Sequence, residues 1–345
     1  MKRRNVVLAA TAGTAAGVLG LTALALPAGA GAAPALPPVA PEQLVESVMR
    51  AEPPALTGTV SVDNALGLPA LPGGEATQLL ADGTSRFQVW ADGQGRHRVS
   101  VPSHSGELTV VDDGRTAWKW DSGEQTATRT EHPERAGHDA PADPAAAARG
   151  IIGELRKTSE VSVDGTASVA GRDAYELVLT PKPTERTLLR QVRVAVDAEK
   201  RVPLELSVLT NGSADPALKI GFTSVDMTAP DPGLFQFSPP AGAKVEDGEQ
   251  RAPRPDQHAP QPGEHAVPEH QVVGDGWDSV LVAEFPANPE LRQVAERTGK
   301  PISGPWGSGW VLGTAAGNAL LTEDGRVAVG AVPEQVLTAA LGEVR

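Results

Sequence analysis

The 345-residue chain contains no cysteine. That excludes disulfides, zinc–thiolate sites, a thiol nucleophile and a lipid-modified N-terminal cysteine together. Aromatic residues make up only 3% of the chain, so any core must be built mainly from Val, Leu and Ala. Positive charge is in deficit: 30 Lys and Arg stand against 43 Asp and Glu, a formal net charge of −13. Nucleic acid and anionic membrane surfaces are therefore poor partners for the body of the protein. Catalytic signatures are missing too: no H-E-x-x-H, nucleophile elbow, P-loop or dinucleotide fingerprint occurs. The acidic pairs Asp112-Asp113 and Glu323-Asp324 stand beside tight-turn signals, and turn chemistry accounts for them. The spacing of the seven histidines fits no metal-ligand motif. His258, His265 and His270 fall in a polar tract, and His97 and His104 on strands or their ends. The chain therefore reads as a non-enzymatic binding protein with no catalytic residue, metal site or cofactor.

The N-terminus is an address. Lys2, Arg3 and Arg4 precede an uncharged run from Val6 to Leu26, which Pro27 ends. Ala28-Gly29-Ala30 fits a small-x-small cleavage site, which predicts a signal peptide over residues 1–30. The apolar stretch, about 21 residues, is also long enough for an uncleaved anchor. Either reading puts the body outside the cytoplasm.

Glycine and proline, 37 and 31 residues, punctuate the body as in a many-stranded β protein. A short helix is expected from Pro41, with Leu44, Val45, Val48 and Met49 at helical spacing and Pro53-Pro54 as its stop. The period then changes to two. Val99 and Val101 share one strand face, as do Leu108 and Val110, Trp118 and Trp120, and Leu177 and Leu179. Asp92-Gly93 and Asp113-Gly114 are the tight turns between strands. Asp143-Pro144 begins a second helix with Ile151, Ile152 and Leu155 inward. From residue 246 to 274 Pro, Glu, Gln and His replace apolar residues, which reads as a disordered linker. A small βαββα unit is expected over residues 275–345, with Trp310 to Leu321 as one arm of a hairpin. The fold class is α+β, mainly antiparallel β.

Several stretches in their order resemble the LolA/LolB/RseB-like family of extracytoplasmic binding proteins. They are Leu56-Thr57-Gly58-Thr59-Val60, Gly171-Arg172-Asp173-Ala174-Tyr175, Val194-Ala195-Val196-Asp197 and Asp231-Pro232-Gly233-Leu234-Phe235-Gln236-Phe237. Val329-Gly330-Ala331-Val332-Pro333 resembles part of the smaller second domain of RseB-type regulators. The resemblance implies a curved half-barrel sheet wrapping helices over residues 31–245, plus a small α+β C-terminal domain. It implies an apolar cavity for a lipid or lipoprotein acyl chain, or docking to a membrane-anchored anti-sigma factor. The positions expected to line such a cavity are Trp90, Val99, Val101, Val110, Trp118 and Trp120, with Leu177, Leu179, Val194 and Leu206. The tryptophans fit a core position as readily as a cavity wall. Arg86, Arg96 and Arg98 are candidates by position for the cavity arginine that several family members carry.

Overall fold

The computed structural model describes residues 34–67, 82–103, 105–131, 144–248, 270–284 and 289–344. The expected signal peptide and most of the expected linker, with His258 and His265, lie outside the described residues, as do His104 and Asp143. Among those described, no helix is long and apolar enough to cross a membrane.

Helix α1 (Pro41–Arg50) starts where Pro41 fits the first turn and the Gln43 side chain accepts from the Ala40 amide at 3.3 Å. It ends before Pro53, and Leu44 is its fully buried residue. Six strands follow: β1 (Ala55–Asn64), β2 (Gly83–Asp92), β3 (His97–Pro102), β4 (Glu107–Asp112), β5 (Thr116–Asp121) and β6 (Thr126–Glu131). The turns are built as their residues dictate. Asp92 Oδ1 accepts from the Gln94 and Arg96 amides, and Asp113 Oδ1 accepts from the Arg115 and Thr116 amides. Gly114 takes φ of 93° between them, which an L side chain would resist.

Helix α2 (Pro144–Thr158) packs against α1, with an ion pair from Arg156 to Glu42. Ile152 is buried, but Ile151 is 45% exposed, which corrects its expected inward placement. Ile151, Leu155 and Ile152 lie at successive angles across an arc of about 100°, and the helix turns its Ile152 edge inward, which leaves Leu155 half-buried and Ile151 exposed.

Five more strands complete the first sheet: β7 (Ser159–Val169), β8 (Arg172–Pro181), β9 (Leu189–Asp197), β10 (Pro203–Thr210) and β11 (Leu218–Asp226). β1 pairs with both β2 and β11, so the two series of hairpins join side by side. A short strand β12 (Lys244–Asp247) adds outside β6, in parallel. The twelve strands form one curved, unclosed sheet, in the order β12-β6-β5-β4-β3-β2-β1-β11-β10-β9-β8-β7. This is the half-barrel fold class that the sequence implied. β12 carries the sheet past residue 245, where the linker was expected to begin. All of its side chains are exposed, so backbone pairing alone marks it and no apolar pattern could.

The C-terminal unit has a six-stranded antiparallel sheet, ordered β13-β14-β18-β17-β16-β15. Its strands are β13 (His270–Val273), β14 (Val280–Glu284), β15 (Lys300–Gly304), β16 (Gly307–Gly313), β17 (Asn318–Thr322) and β18 (Arg326–Gly330). Helix α3 (Pro289–Thr298) lies over β16, and α4 (Glu334–Glu343) closes a core of Val280, Leu320, Val332, Leu337 and Leu341. The expected βαββα outline is thus corrected to ββαββββα. Trp310 to Leu321 is two strands, because Thr314 to Gly317 makes a turn closed by Thr314 N–H donating to Gly317 O at 2.8 Å. β13 also begins inside the expected linker.

The two units meet at defined polar contacts. Ala331 O accepts from the Leu188 amide at 2.9 Å and from Thr187 Oγ1 at 2.7 Å. The Trp277 indole donates to Ser159 Oγ at 2.7 Å, and Arg186 pairs with Asp278 at 3.2 Å. Gly276 stands so close to Thr158 that a Cβ would collide with it.

A buried carboxylate holds the β9–β10 turn. Asp197, fully buried, receives the Arg172 guanidinium and the amides of Glu199 (2.9 Å) and Lys200 (2.6 Å). Burial alone would raise the Asp197 carboxyl, but Arg172 and the two amides outweigh it and hold the group below the usual carboxylate range. A depressed folded pKa contributes stability that is full above the unfolded aspartate value, about 3.9, and is lost as pH falls through the folded value. Asp197→Asn is therefore expected to cost about 3 kcal/mol in urea unfolding at pH 7, and its deficit should shrink below about pH 4. A deficit independent of pH would show that the ionised carboxylate does not hold this turn.

Candidate functional site

Cross-strand register sorts the expected cavity residues onto two faces of the large sheet. One face carries α1. On it, partners run without a break along Val62–Ile220–Leu206–Val194–Leu177–Val163. A second row beside it runs Leu218–Val208–Val192–Leu179–Val161. The same face continues through β1 to the row Gly58–Val89–Val99–Val110, with Val101 opposite Leu108. Every side chain of the first two rows is half-buried rather than buried. Helix α1 explains why. Its Leu44 packs with Tyr175 and Val196, and with Val163, Leu177 and Val194 at one end of the rows. A ten-residue helix is about 15 Å long, and four gaps between strands span about 19 Å. α1 therefore covers part of this apolar surface and leaves the rest accessible.

Trp90, Trp118 and Trp120 lie on the opposite face. There the register runs Trp90–Arg98–Val111–Trp118–Arg129, with Trp120 between Thr109 and Ala127. A strap from β11 to β12 crosses this face. It must span seven strand spacings, about 34 Å, and the 17 residues between Asp226 and Lys244 reach about 56 Å when extended. Its centre is the Asp231–Phe237 stretch. Asp231 Oδ1 accepts from the Gly233 amide at 2.8 Å and starts the 3-10 turn Pro232–Phe235. Phe235 is 1% exposed, with the Arg96 guanidinium 5.2 Å from its ring centre. Phe237 stands 5.6 Å from Trp118 and 6.2 Å from Trp120, ring centre to ring centre. The aliphatic positions Val99, Val101, Val110, Leu177, Leu179, Val194 and Leu206 thus share one face, and the tryptophans lie on the other, where Trp118 and Trp120 pack against the strap.

The three arginines do not join the aliphatic surface. Arg86, opposite Ser61, and Arg98, opposite Val111, lie on the tryptophan face. Arg96 pairs with Asp92 at 2.6 Å. A different arginine stands beside α1. Arg201, in the β9–β10 turn, holds its guanidinium 5.1 Å from the Tyr175 ring centre. Its Nη1 is buried and has no hydrogen-bond partner among the described residues. Arg201 lines a groove of about 630 Å³ together with Gln43, Ser47, Arg50 and Lys200. Sequence periodicity could not find it, because it lies in a turn. The available signal was a long cation at the end of Asp197–Arg201, where glycine or asparagine is the usual choice.

Among the described residues, no group of three or more His, Asp or Glu side chains is placed to hold a metal ion. His97 lies 3.9 Å from Asp112 and belongs to no such group.

No family model and no curated protein matches this chain. Solved structures do. MucB in complex with MucA from Pseudomonas aeruginosa is similar at 15% identity over 86% of this chain and 94% of that one, with a TM-score of 0.45. MucB alone is similar at 17% identity over 87% and 96%, with a TM-score of 0.41. A LolA superfamily protein from Nitrosomonas europaea is similar at 13% identity over 58% and 99%, with a TM-score of 0.25.

The strap is open to a direct check. Phe235→Ala should cost about 3 kcal/mol or more in chemical unfolding. Phe237→Ala should shift tryptophan emission to longer wavelength by exposing Trp118 and Trp120. Unchanged stability and emission in both would mean that the strap does not cover this face.

Proposed function

We propose that this chain is an extracytoplasmic, non-catalytic binding protein that takes an acyl chain of a lipid or lipoprotein on the α1 side of its large sheet. The observation that carries the reading is the pair of unbroken apolar rows from β7 to β11, which α1 covers at one end only. A continuous apolar surface that is only half-buried has room for further cover. An acyl chain suits it, because the rows offer no polar side chain to satisfy. Each buried methylene contributes about 0.8 kcal/mol. The apolar run from Val6 to Leu26, behind its three cations, supports a location outside the cytoplasm.

The test is extraction and titration. Solvent extraction of the folded protein followed by mass spectrometry should find acyl species, and a fluorescent fatty acid should bind. Leu206→Gln, mid-row, should weaken that binding about tenfold, roughly 1.4 kcal/mol, and Phe237→Ala on the other face should leave it unchanged. A protein that is empty and has no affinity for the fatty acid would sink the reading.

A second reading rests on a separate surface. On the face of the C-terminal sheet away from α4, Val272, Leu281 and Val329 are cross-strand neighbours and are 59%, 44% and 44% exposed. This bare row fits docking to the extracytoplasmic segment of a membrane-anchored anti-sigma factor. Leu281→Glu with Val329→Glu should then abolish capture of a single-span partner by the full chain and leave fatty-acid binding intact. Capture that survives the double substitution would remove this reading.

A further inference from the structure

Three observations converge on Arg201, and none depends on the others. Its backbone is left-handed, with φ of 59°. A non-glycine residue there carries strain that glycine would relieve. Its Nη1 is buried without a partner among the described residues, although a buried guanidinium nitrogen ordinarily finds one. It stands over Tyr175, whose ring packs with Leu44 and Val196 at the covered end of the apolar rows. The turn that presents it is pinned from below by Arg172 and Asp197.

The other charges of the groove are largely accounted for. Glu46 pairs with Arg50 at 2.7 Å, and Glu199 pairs with Lys200 at 3.3 Å and Arg172 at 3.2 Å. Glu52 is exposed at the rim. Glu46 and Glu199 thus face other cations, while Arg201 makes no ion pair among the described residues and has the Tyr175 ring beside it. A guanidinium is a donor-only group whose planar shape suits a carboxylate or phosphate.

We infer that the groove between the end of α1 and the β9–β10 turn is an anion subsite, in which Arg201 binds the carboxylate or phosphate headgroup of an amphiphile whose chain lies along the apolar rows. This rests on the acyl-binding reading and extends it from an apolar chain to an anionic amphiphile. Arg201 would hold the charged end, and the rows would hold the tail.

The experiment compares the wild type with Arg201→Gly and Arg201→Lys in the full chain. Glycine suits the left-handed backbone, so that variant should fold and melt close to the wild type. Three probes are titrated: a fluorescent fatty acid, the fluorescent alcohol of the same chain, and inorganic phosphate alone. Arg201→Gly should weaken the acid tenfold or more, down to the affinity of the alcohol, and leave the alcohol unchanged. Arg201→Lys should recover part of the loss. Phosphate that binds the wild type alone, and is lost in Arg201→Gly, would assign the subsite to free anions as well. Phosphate that fails to bind while the acid discriminates would assign it to headgroups. Equal binding of the acid to wild type and Arg201→Gly would overturn the subsite and leave the acyl-binding reading standing. If neither acid nor alcohol binds the wild type, the acyl-binding reading falls and the subsite falls with it.

Discussion

An open sheet of twelve strands has two faces that need apolar cover, and this chain has little cover to give. Its aromatics are few and its helices short. The tryptophan face receives a strap of ordinary chain, anchored by Phe235 and Phe237. The other face receives α1, which lies at one end of it. This unequal division governs the rest of the molecule. It gives one face a strap with Phe235 buried beneath it and leaves the rows on the other as a surface of half-buried Val, Leu and Ile. Closing the sheet into a barrel would have hidden that surface, but the outer strands β12 and β7 remain edges.

The strands of the first sheet were readable wherever apolar and polar side chains alternate visibly, as in Val192-Arg193-Val194 of β9. Even there the pattern is partial, because Ala195, next in the strand, is buried on the opposite face from Val194. β6 was not readable. Its Thr-Ala-Thr-Arg-Thr-Glu has Ala127 as its one apolar residue, and that residue is fully buried. β12, β13 and β15 are edge strands with mostly exposed side chains, so backbone pairing defines them and side-chain pattern does not. Which face each strand presents was legible within a strand but not between strands. Trp118 and Val110 look alike in periodicity, and only the register puts them on opposite sides. The strap had a local signature, since Asp231-Pro232-Gly233 starts its 3-10 turn, but its landing place depends on contacts distant in sequence.

Arg201 shows the limit in another form. Nothing in a single sequence distinguishes an arginine in a hairpin turn from an ordinary solvated cation. What sets it apart is a left-handed backbone, a buried nitrogen and Tyr175 beneath it. Each arises from a different part of the chain. Asp197 and Arg172 fix the turn, β8 supplies the ring, and α1 supplies the far wall of the groove.

Energetics link the groove to the rows. About twelve methylenes laid on an apolar surface contribute at most roughly 10 kcal/mol. Association costs about 4–15 kcal/mol in lost freedom before any net affinity appears. A chain alone on a half-open surface therefore binds weakly and without preference for its headgroup. A charge-assisted fork adds about 1.5–3 kcal/mol, a tenfold to hundredfold gain, and it fixes which end of the ligand lies at α1. On an open face, where shape gives little orientation, such a fixed cation is what would turn apolar contact into selective binding.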